Sequence, residues 1–235
     1  AHFWEHMAFK GTKKRKAYHI INRLDSLGGE LNAFTTKEKI CFYASVLTRH
    51  TDKAFELLTD ITFDSVFPAK QIEKERSVIL EEMAMYEDDP EDALQDEFDQ
   101  LLFRQHPLGH NILGSSATVR SFDRRDFERF IQQHLDTTRL VFSSVSNWPA
   151  EKVFRLAEKY LKDVPAKTGA PRKPQVFEYL PGTKLKKRDI SQTHCAMGRP
   201  AYSIHSQKRL PFMMLANMLG GPAMNSRLNM ILRER

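Results

Sequence analysis

Two histidines and a glutamate near the start of the chain have the spacing of a metal site. His2 and His6 are four residues apart, so on an α-helix both imidazoles lie on one face and can bind a single ion. Glu5 shares that face and can approach a metal-bound water without being a ligand. A metal ion lowers the pKa of such a water, and a carboxylate can take the proton. The motif therefore indicates metal-assisted hydrolysis.

Two glutamates in a later helical segment are candidates for a third ligand. Glu75 and Glu82 are seven residues apart and so share one helical face. Glu82 adjoins an apolar run, residues 78–80, where a lone carboxylate is costly unless it is paired or metal-bound. Two histidines, one glutamate and an open position would form a catalytic rather than a structural zinc site. Spacing alone leaves Glu82 open as a ligand or as a solvated carboxylate.

The other possible ligands in the sequence are weaker candidates. Cys41 and Cys195 are too few and too distant for a cysteine-based zinc site, and Cys41 lies in an alternating apolar stretch typical of a small core residue. Six further histidines are interpreted as surface, capping or loop residues: His19, His50, His106, His110, His134 and His205.

The hydrophobic pattern predicts the elements that must position these residues. It predicts a helix over 2–10, a strand pair within 30–48 and a long helix from Pro68 through Tyr86. Further segments complete the prediction: helices at 17–27, 50–63, 91–103, 122–135, 149–161 and 210–219, and strands at 139–146 and 189–197. This mixture indicates an α+β fold in which helices pack on an antiparallel sheet.

A segment rich in proline and glycine divides the predicted fold. We place a linker at 164–184, an α+β domain carrying the motif at 1–163, and the start of a second, homologous α+β domain at 185–235. The chain opens on the motif without an initiator Met, and residues 226–235 stop in a helical pattern without a cap. We therefore expect a piece of a longer protein, in which the first strands of one domain and most of the next are missing.

Composition argues against two classes of partner. The net charge is +6, with basic clusters at 13–16 and 184–188. Aromatic residues do not alternate with these clusters as they do in a nucleic-acid groove, so a solvated basic surface is favoured over nucleic-acid binding. No apolar run is long enough to span a bilayer. The sequence leaves the compartment open.

Taken together, these segments make the sequence similar to a known family. The chain resembles the pitrilysin/insulinase-type inverzincin peptidases, particularly the bacterial zinc-protease branch related to the β subunit of mitochondrial processing peptidase. In that family a glutamate follows the His-x-x-Glu-His motif after about 75 residues. Here 75 residues separate His6 from Glu82, and the text of residues 1–12, 31–35 and 75–83 also matches.

The resemblance implies a role for each candidate residue. It makes His2, His6 and Glu82 the ligands of one Zn²⁺, makes Glu5 the general base, and gives Glu75 a supporting place behind a ligand. It also implies that a short edge strand pairs with an extended substrate peptide. The residues of that strand are Asn32, Ala33, Phe34 and Thr35. The alternative for this strand is a covered structural strand.

The resemblance predicts a zinc metalloendopeptidase that hydrolyses peptides or unfolded polypeptides. It also implies a second homologous half or subunit that closes the chamber. Trp4 departs from the usual Leu, and the family's Arg/Tyr pair would fall beyond Arg235, so this piece is expected to bind zinc yet to hydrolyse poorly. The alternative is a non-catalytic scaffold subunit of a processing-peptidase-like heterodimer, and a zinc assay separates the two.

Overall fold

The computed structural model describes residues 1–169 and 177–234 and has a mixed α+β fold, as predicted. Its strands are β1 (Glu30–Thr35) and β2 (Ile40–Ser45). The helices, in chain order, are α1 (His2–Ala8), α2 (Ala17–Asp25), α3 (Thr51–Phe63), α4 (Ala69–Asp88), α5 (Pro90–Leu102), α6 (Ser116–Ser121), α7 (Arg124–His134), α8 (Ala150–Leu161), α9 (Arg209–Gly220) and α10 (Arg227–Leu232). Contacts divide the chain into two compact units, Ala1–His194 and Cys195–Arg235.

Helix α1 has one apolar and one polar face. Phe3, Trp4, Met7 and Ala8 recur at helical spacing and are all buried. The three motif residues are only partly buried and lie on the remaining face. The apolar residues therefore fix the orientation of the helix, and this orientation determines where the motif side chains point.

Helix α4 packs against α1 through a shared core. Ile72 and Ile79 are seven residues apart and both buried, and they join Phe3, Trp4 and Met7 in one hydrophobic cluster. Glu75 and Glu82 follow the same seven-residue spacing along the helix, and both approach the motif histidines of α1. The apolar packing of the two helices therefore brings the carboxylates of one to the imidazoles of the other.

The hairpin β1–β2 lies beside α1. Its strands are antiparallel, with Ala33 opposite Phe42 and Thr35 opposite Ile40. Burial alternates along β1, so that Leu31, Ala33 and Thr35 are partly covered while the residues between them are exposed. The ring of Phe42 packs 5.7 Å from that of Trp4. Thr35 is thereby placed next to the polar face of α1.

Helices α2 and α3 cover the hairpin and hold the loop that follows α1. Buried Asp60 of α3 accepts a hydrogen bond of 2.9 Å from Thr12 and pairs with Arg15. Lys13 pairs with Asp64 at 2.8 Å. Two residues of the basic cluster at 13–16 are therefore used in ion pairs, Arg15 with α3 and Lys13 with Asp64 just after it, so the cluster is less of a free basic surface than the sequence predicted.

The strands predicted at 139–146 and 189–197 are wrong within the described residues. Neither segment forms a strand, and the described sheet contains β1 and β2 alone. Val141 is 89% exposed and Val145 is fully exposed. An apolar pattern favours a strand only where a neighbouring strand supplies hydrogen bonds, and none lies beside these segments in the described part of the chain.

The predicted linker at 164–184 includes residues 170–176, which lie outside the described residues, as does Arg235. The domain boundary at this linker stays a prediction.

We expect Ile79→Ala to destabilise the protein by about 2–5 kcal/mol, because truncating a fully buried aliphatic side chain leaves a cavity. Ile79 is completely buried beneath α1. Its neighbour Val78 is 46% exposed, so Val78→Ala should change stability by less than about 0.5 kcal/mol. Urea unfolding of both variants measures the difference. Equal effects would contradict the packing of α4 described above.

Candidate metal centre

Three side chains from two helices converge on one point. The Nε2 atom of His2 lies 3.7 Å from one carboxylate oxygen of Glu82, and the Nε2 atom of His6 lies 3.6 Å from the other. One ligand atom from each residue lies within 4.8 Å of the other two. Among the described residues, no other group of three His, Cys, Asp or Glu side chains meets this criterion. The structure thus brings together the three residues predicted as metal ligands.

The arrangement fits a zinc ion in distance and in donor type. Zinc–ligand bonds of about 2.0–2.1 Å in a tetrahedron set neighbouring donor atoms about 3.4 Å apart. The two separations between imidazole nitrogens and carboxylate oxygens, 3.7 and 3.6 Å, are close to this value. Two imidazoles and one carboxylate also match the donor set of a catalytic zinc site with one open position.

The charges of the site suit a cation. Burial and the positive charge of His6 lower the pKa of His2 to about 4, so this imidazole is neutral at neutral pH. Burial raises the pKa of Glu82 above its usual value; the positive charge of His6 opposes that shift, and the negative charge of Glu5 adds to it. A neutral imidazole and a carboxylate that is costly to bury are forms that a metal ion stabilises.

Glu75 lies behind His6, where the resemblance predicted it. One oxygen of its buried carboxylate lies 3.2 Å from His6 Nδ1, and the other lies 2.6 Å from the ammonium of Lys10. A hydrogen bond from Nδ1–H to Glu75 leaves the lone pair of Nε2 directed toward Glu82. The sequence reasoning missed Lys10, although its position four residues after His6 was a signal that it could lie near Glu75.

Glu5 is held by the hairpin. The hydroxyl of Thr35, the last residue of β1, donates a hydrogen bond to Glu5 Oε2. Glu5 is partly buried and lies on the same helix as the two histidines, between them in sequence. The sequence reasoning placed Thr35 in the substrate strand but did not predict this contact, because it depends on how the hairpin packs against α1.

The four predicted strand residues differ in their surroundings. Asn32 and Phe34 are exposed on the outer face of β1, whereas Ala33 and Thr35 are partly covered on the face toward α1. Only one edge of β1 is paired, because β2 is its only neighbour in the described residues. The side-chain oxygen of Asn32 accepts a hydrogen bond of 2.8 Å from the backbone N–H of Ala33. An edge strand in which one backbone N–H, that of Ala33, already has a side-chain partner therefore leads to the candidate metal centre.

Two further observations concern the rest of the molecule. A shallow groove of about 420 Å³ lies on α2, lined by basic and polar residues including Lys14, Arg15 and Arg23. None of its lining residues belongs to the predicted metal site. No helix in residues 1–169 and 177–234 has both the length and the apolar character needed to cross a membrane.

The fold and the site define an α+β protein with a candidate metal centre lined by histidine and glutamate. A family model described as insulinase (peptidase family M16) matches residues 1–116, and one described as peptidase M16 inactive domain matches residues 121–235. Because the two together match nearly the whole sequence, the chain belongs to peptidase family M16. The predicted resemblance is confirmed. All the predicted site residues lie within the first match.

Relatives and solved structures agree with this assignment. An uncharacterized zinc protease of Rickettsia felis is 35% identical over 235 residues, which are 100% of this chain and 57% of that protein. The chain thus spans little more than half the length of such relatives. Zinc, the predicted cofactor, is confirmed for the family, because this relative and others like it are named zinc proteases.

The solved structures share the fold. A peptidase M16 inactive domain from Pseudomonas fluorescens has a TM-score of 0.82 at 14% identity, covering 99% of this chain and 57% of that one. A protease from Helicobacter pylori has a TM-score of 0.78 at 19% identity, covering 100% of this chain and 59% of that one. In both, the matched part is little more than half of the solved chain.

Proposed function

We propose that this chain is the zinc-binding part of a metalloendopeptidase that cleaves peptides or unfolded polypeptides. In this proposal His2, His6 and Glu82 hold the metal and Glu5 is the general base. The observation that carries it is the convergence of three ligand atoms within 4.8 Å of one another. Glu5, which is not one of the three ligands, lies on the same helix as the two histidines. Membership of peptidase family M16 supports the proposal.

The side chains of the site have separable tasks in this reaction. Zinc held there would supply the positive charge that acidifies a water and polarises the scissile carbonyl. Glu5 accepts the proton of the attacking water and delivers it to the leaving amine. The hydrogen bond from Thr35 holds one oxygen of Glu5 and leaves the other for the proton. Glu75 fixes the tautomer of His6 through Nδ1.

The substrate is proposed to bind as an added strand along β1. The unpaired edge of β1 ends at Thr35, whose hydroxyl contacts Glu5, so a peptide extended along residues 32–35 would lead its backbone toward the metal centre. Because pairing uses backbone groups, it favours unfolded segments over folded domains. The bond from Ala33 N–H to Asn32 would be exchanged for a bond to the peptide if that edge is used.

Zinc stoichiometry tests the proposal most directly. The purified chain should carry about one zinc per molecule, because two histidines and a carboxylate make a site of high affinity. Elemental analysis after dialysis measures the ratio. A chain that is folded yet takes up no zinc would favour the alternative, a non-catalytic scaffold subunit.

A variant of Thr35 tests the placement of the base. We expect Thr35→Val to lower kcat about 10-fold, the kinetic equivalent of losing a hydrogen bond to a charged group worth about 1.5 kcal/mol. KM and zinc content should not change, because the backbone of β1 and the ligands are intact. Thr35→Ser retains the hydroxyl and should restore the rate. The measurement is steady-state cleavage of an unstructured fluorogenic peptide by the full-length protein.

A loss of zinc in Thr35→Val, or a valine variant as active as the parent, would contradict this role. An increase in KM alone would instead place Thr35 among the residues that contact substrate.

A further inference from the structure

We propose that Lys10 is a positioning residue of the metal centre, one that holds Glu75 so that His6 presents its Nε2 atom to the ion. This inference rests on the proposed function, because it concerns how the chain's own residues prepare the site for zinc. Lys10 lies just beyond α1, four residues after His6, and is not one of the predicted ligands or catalytic groups.

The geometry of Glu75 carries the proposal. Its side chain is 9% exposed, and each of its two oxygens has one partner. Oε1 lies 2.6 Å from the ammonium of Lys10, and Oε2 lies 3.2 Å from Nδ1 of His6. A carboxylate with one oxygen anchored by a charged hydrogen bond cannot rotate without losing that bond, so the other oxygen stays directed at the imidazole.

The position of Lys10 distinguishes this pair from an ordinary surface ion pair. The side chain of Lys10 is 24% exposed, and its backbone N–H donates to Met7 in the buried face of α1. Lys13, three residues later, makes a pair of nearly the same length with Asp64, but its side chain is 69% exposed and far more screened by water. Lys10 is therefore anchored to the helix whose histidine it helps to orient.

The inference predicts a specific loss of zinc affinity. Removing a group that orients a metal-binding histidine costs about 10–100-fold in affinity. Because Lys10 acts through Glu75, we expect Lys10→Met to weaken zinc binding by about 10-fold, the lower end of that range. Lys10→Arg keeps the charge and should recover most of the affinity. Lys13→Met, the matched control, should bind zinc as tightly as the parent chain.

The measurement is competition for zinc between the chain and a chromophoric chelator, with urea unfolding of each metal-free variant alongside. A double variant tests the route. If Lys10 acts through Glu75, then adding Lys10→Met to Glu75→Gln should cause no further loss of zinc affinity. A further 10-fold loss in that background would overturn the positioning role.

The possible failures can be told apart. If the parent chain binds no zinc, the proposed function fails, and this inference fails with it. If the parent chain binds zinc and Lys10→Met binds it equally, only the role of Lys10 is overturned. Lower stability of Lys10→Met with unchanged zinc affinity would identify a purely structural ion pair and would also overturn the inference.

Discussion

Replacing Glu5 by glutamine is expected to abolish peptide cleavage while leaving zinc in place. General base catalysis contributes about 10²–10⁴-fold to a rate, and glutamine cannot accept a proton at neutral pH. Its carbonyl oxygen can still accept the hydrogen bond from Thr35, so the helix and the hairpin keep their arrangement. Zinc content should not change, because the three converging ligand atoms belong to His2, His6 and Glu82.

The rate is measured on an unstructured fluorogenic peptide with the full-length protein, and zinc is measured by elemental analysis of the same sample. Glu38→Gln is the matched control, because this exposed carboxylate lies in the turn between β1 and β2 and contacts no residue of the centre. It should cleave at the parental rate. A Glu5→Gln variant that still cleaves, or one that loses zinc, would show that Glu5 has a different role.

The placement of the candidate ligands on shared helical faces could be expected from the sequence, because it depends on local geometry. The four-residue spacing of His2 and His6 sets both side chains on one helical face, and the seven-residue spacing of Glu75 and Glu82 does the same for α4. That the two faces meet was not given by spacing. The two faces meet because Phe3 of α1 and Ile79 of α4 pack in one hydrophobic core. The family resemblance predicted that these residues form one site, whereas the periodicity of the sequence did not.

The contacts of Lys10 and Thr35 could not be predicted in the same way. Each joins residues far apart in sequence, Lys10 to Glu75 and Thr35 to Glu5, and depends on how the hairpin and α4 pack against α1. The strand predicted at 139–146 was wrong for a related reason. Alternating apolar residues form a strand only when a second strand lies beside them. The sequence of one segment does not show whether such a neighbour is present.

The position of α1 between the hairpin and α4 explains why one short helix can carry so many roles. Its apolar side chains hold it in the core, its histidines face the carboxylates of α4, and Glu5 contacts the end of β1. A shift of this helix would therefore disturb the proposed ligands and the proposed base together. The bulky Trp4, whose ring contacts Phe42 of β2, stabilises α1 against the hairpin.

Glu82→Gln is expected to remove stoichiometric zinc and, with it, all cleavage. The change deletes the only anionic ligand of the proposed set, so the loss should exceed the about 10–100-fold seen when a residue behind a ligand is changed. Glu81→Gln is the matched control: its carboxylate is adjacent in α4 but exposed to solvent, and the variant should keep both zinc and activity. Chelator competition and peptide cleavage measure the two effects.

In the metal-free protein, Glu82→Gln is expected to maintain or increase stability, although it weakens zinc binding. Burial raises the pKa of Glu82 in the folded chain, so its ionised form disfavours folding at pH values above that pKa. Removing the charge should therefore leave the metal-free variant at least as stable as the parent at neutral pH, and this gain should vanish as the pH falls below the unfolded pKa. A variant that loses zinc because it unfolds would show reduced urea stability instead. Loss of zinc with stability retained would identify Glu82 as a ligand rather than as a structural partner of the histidines.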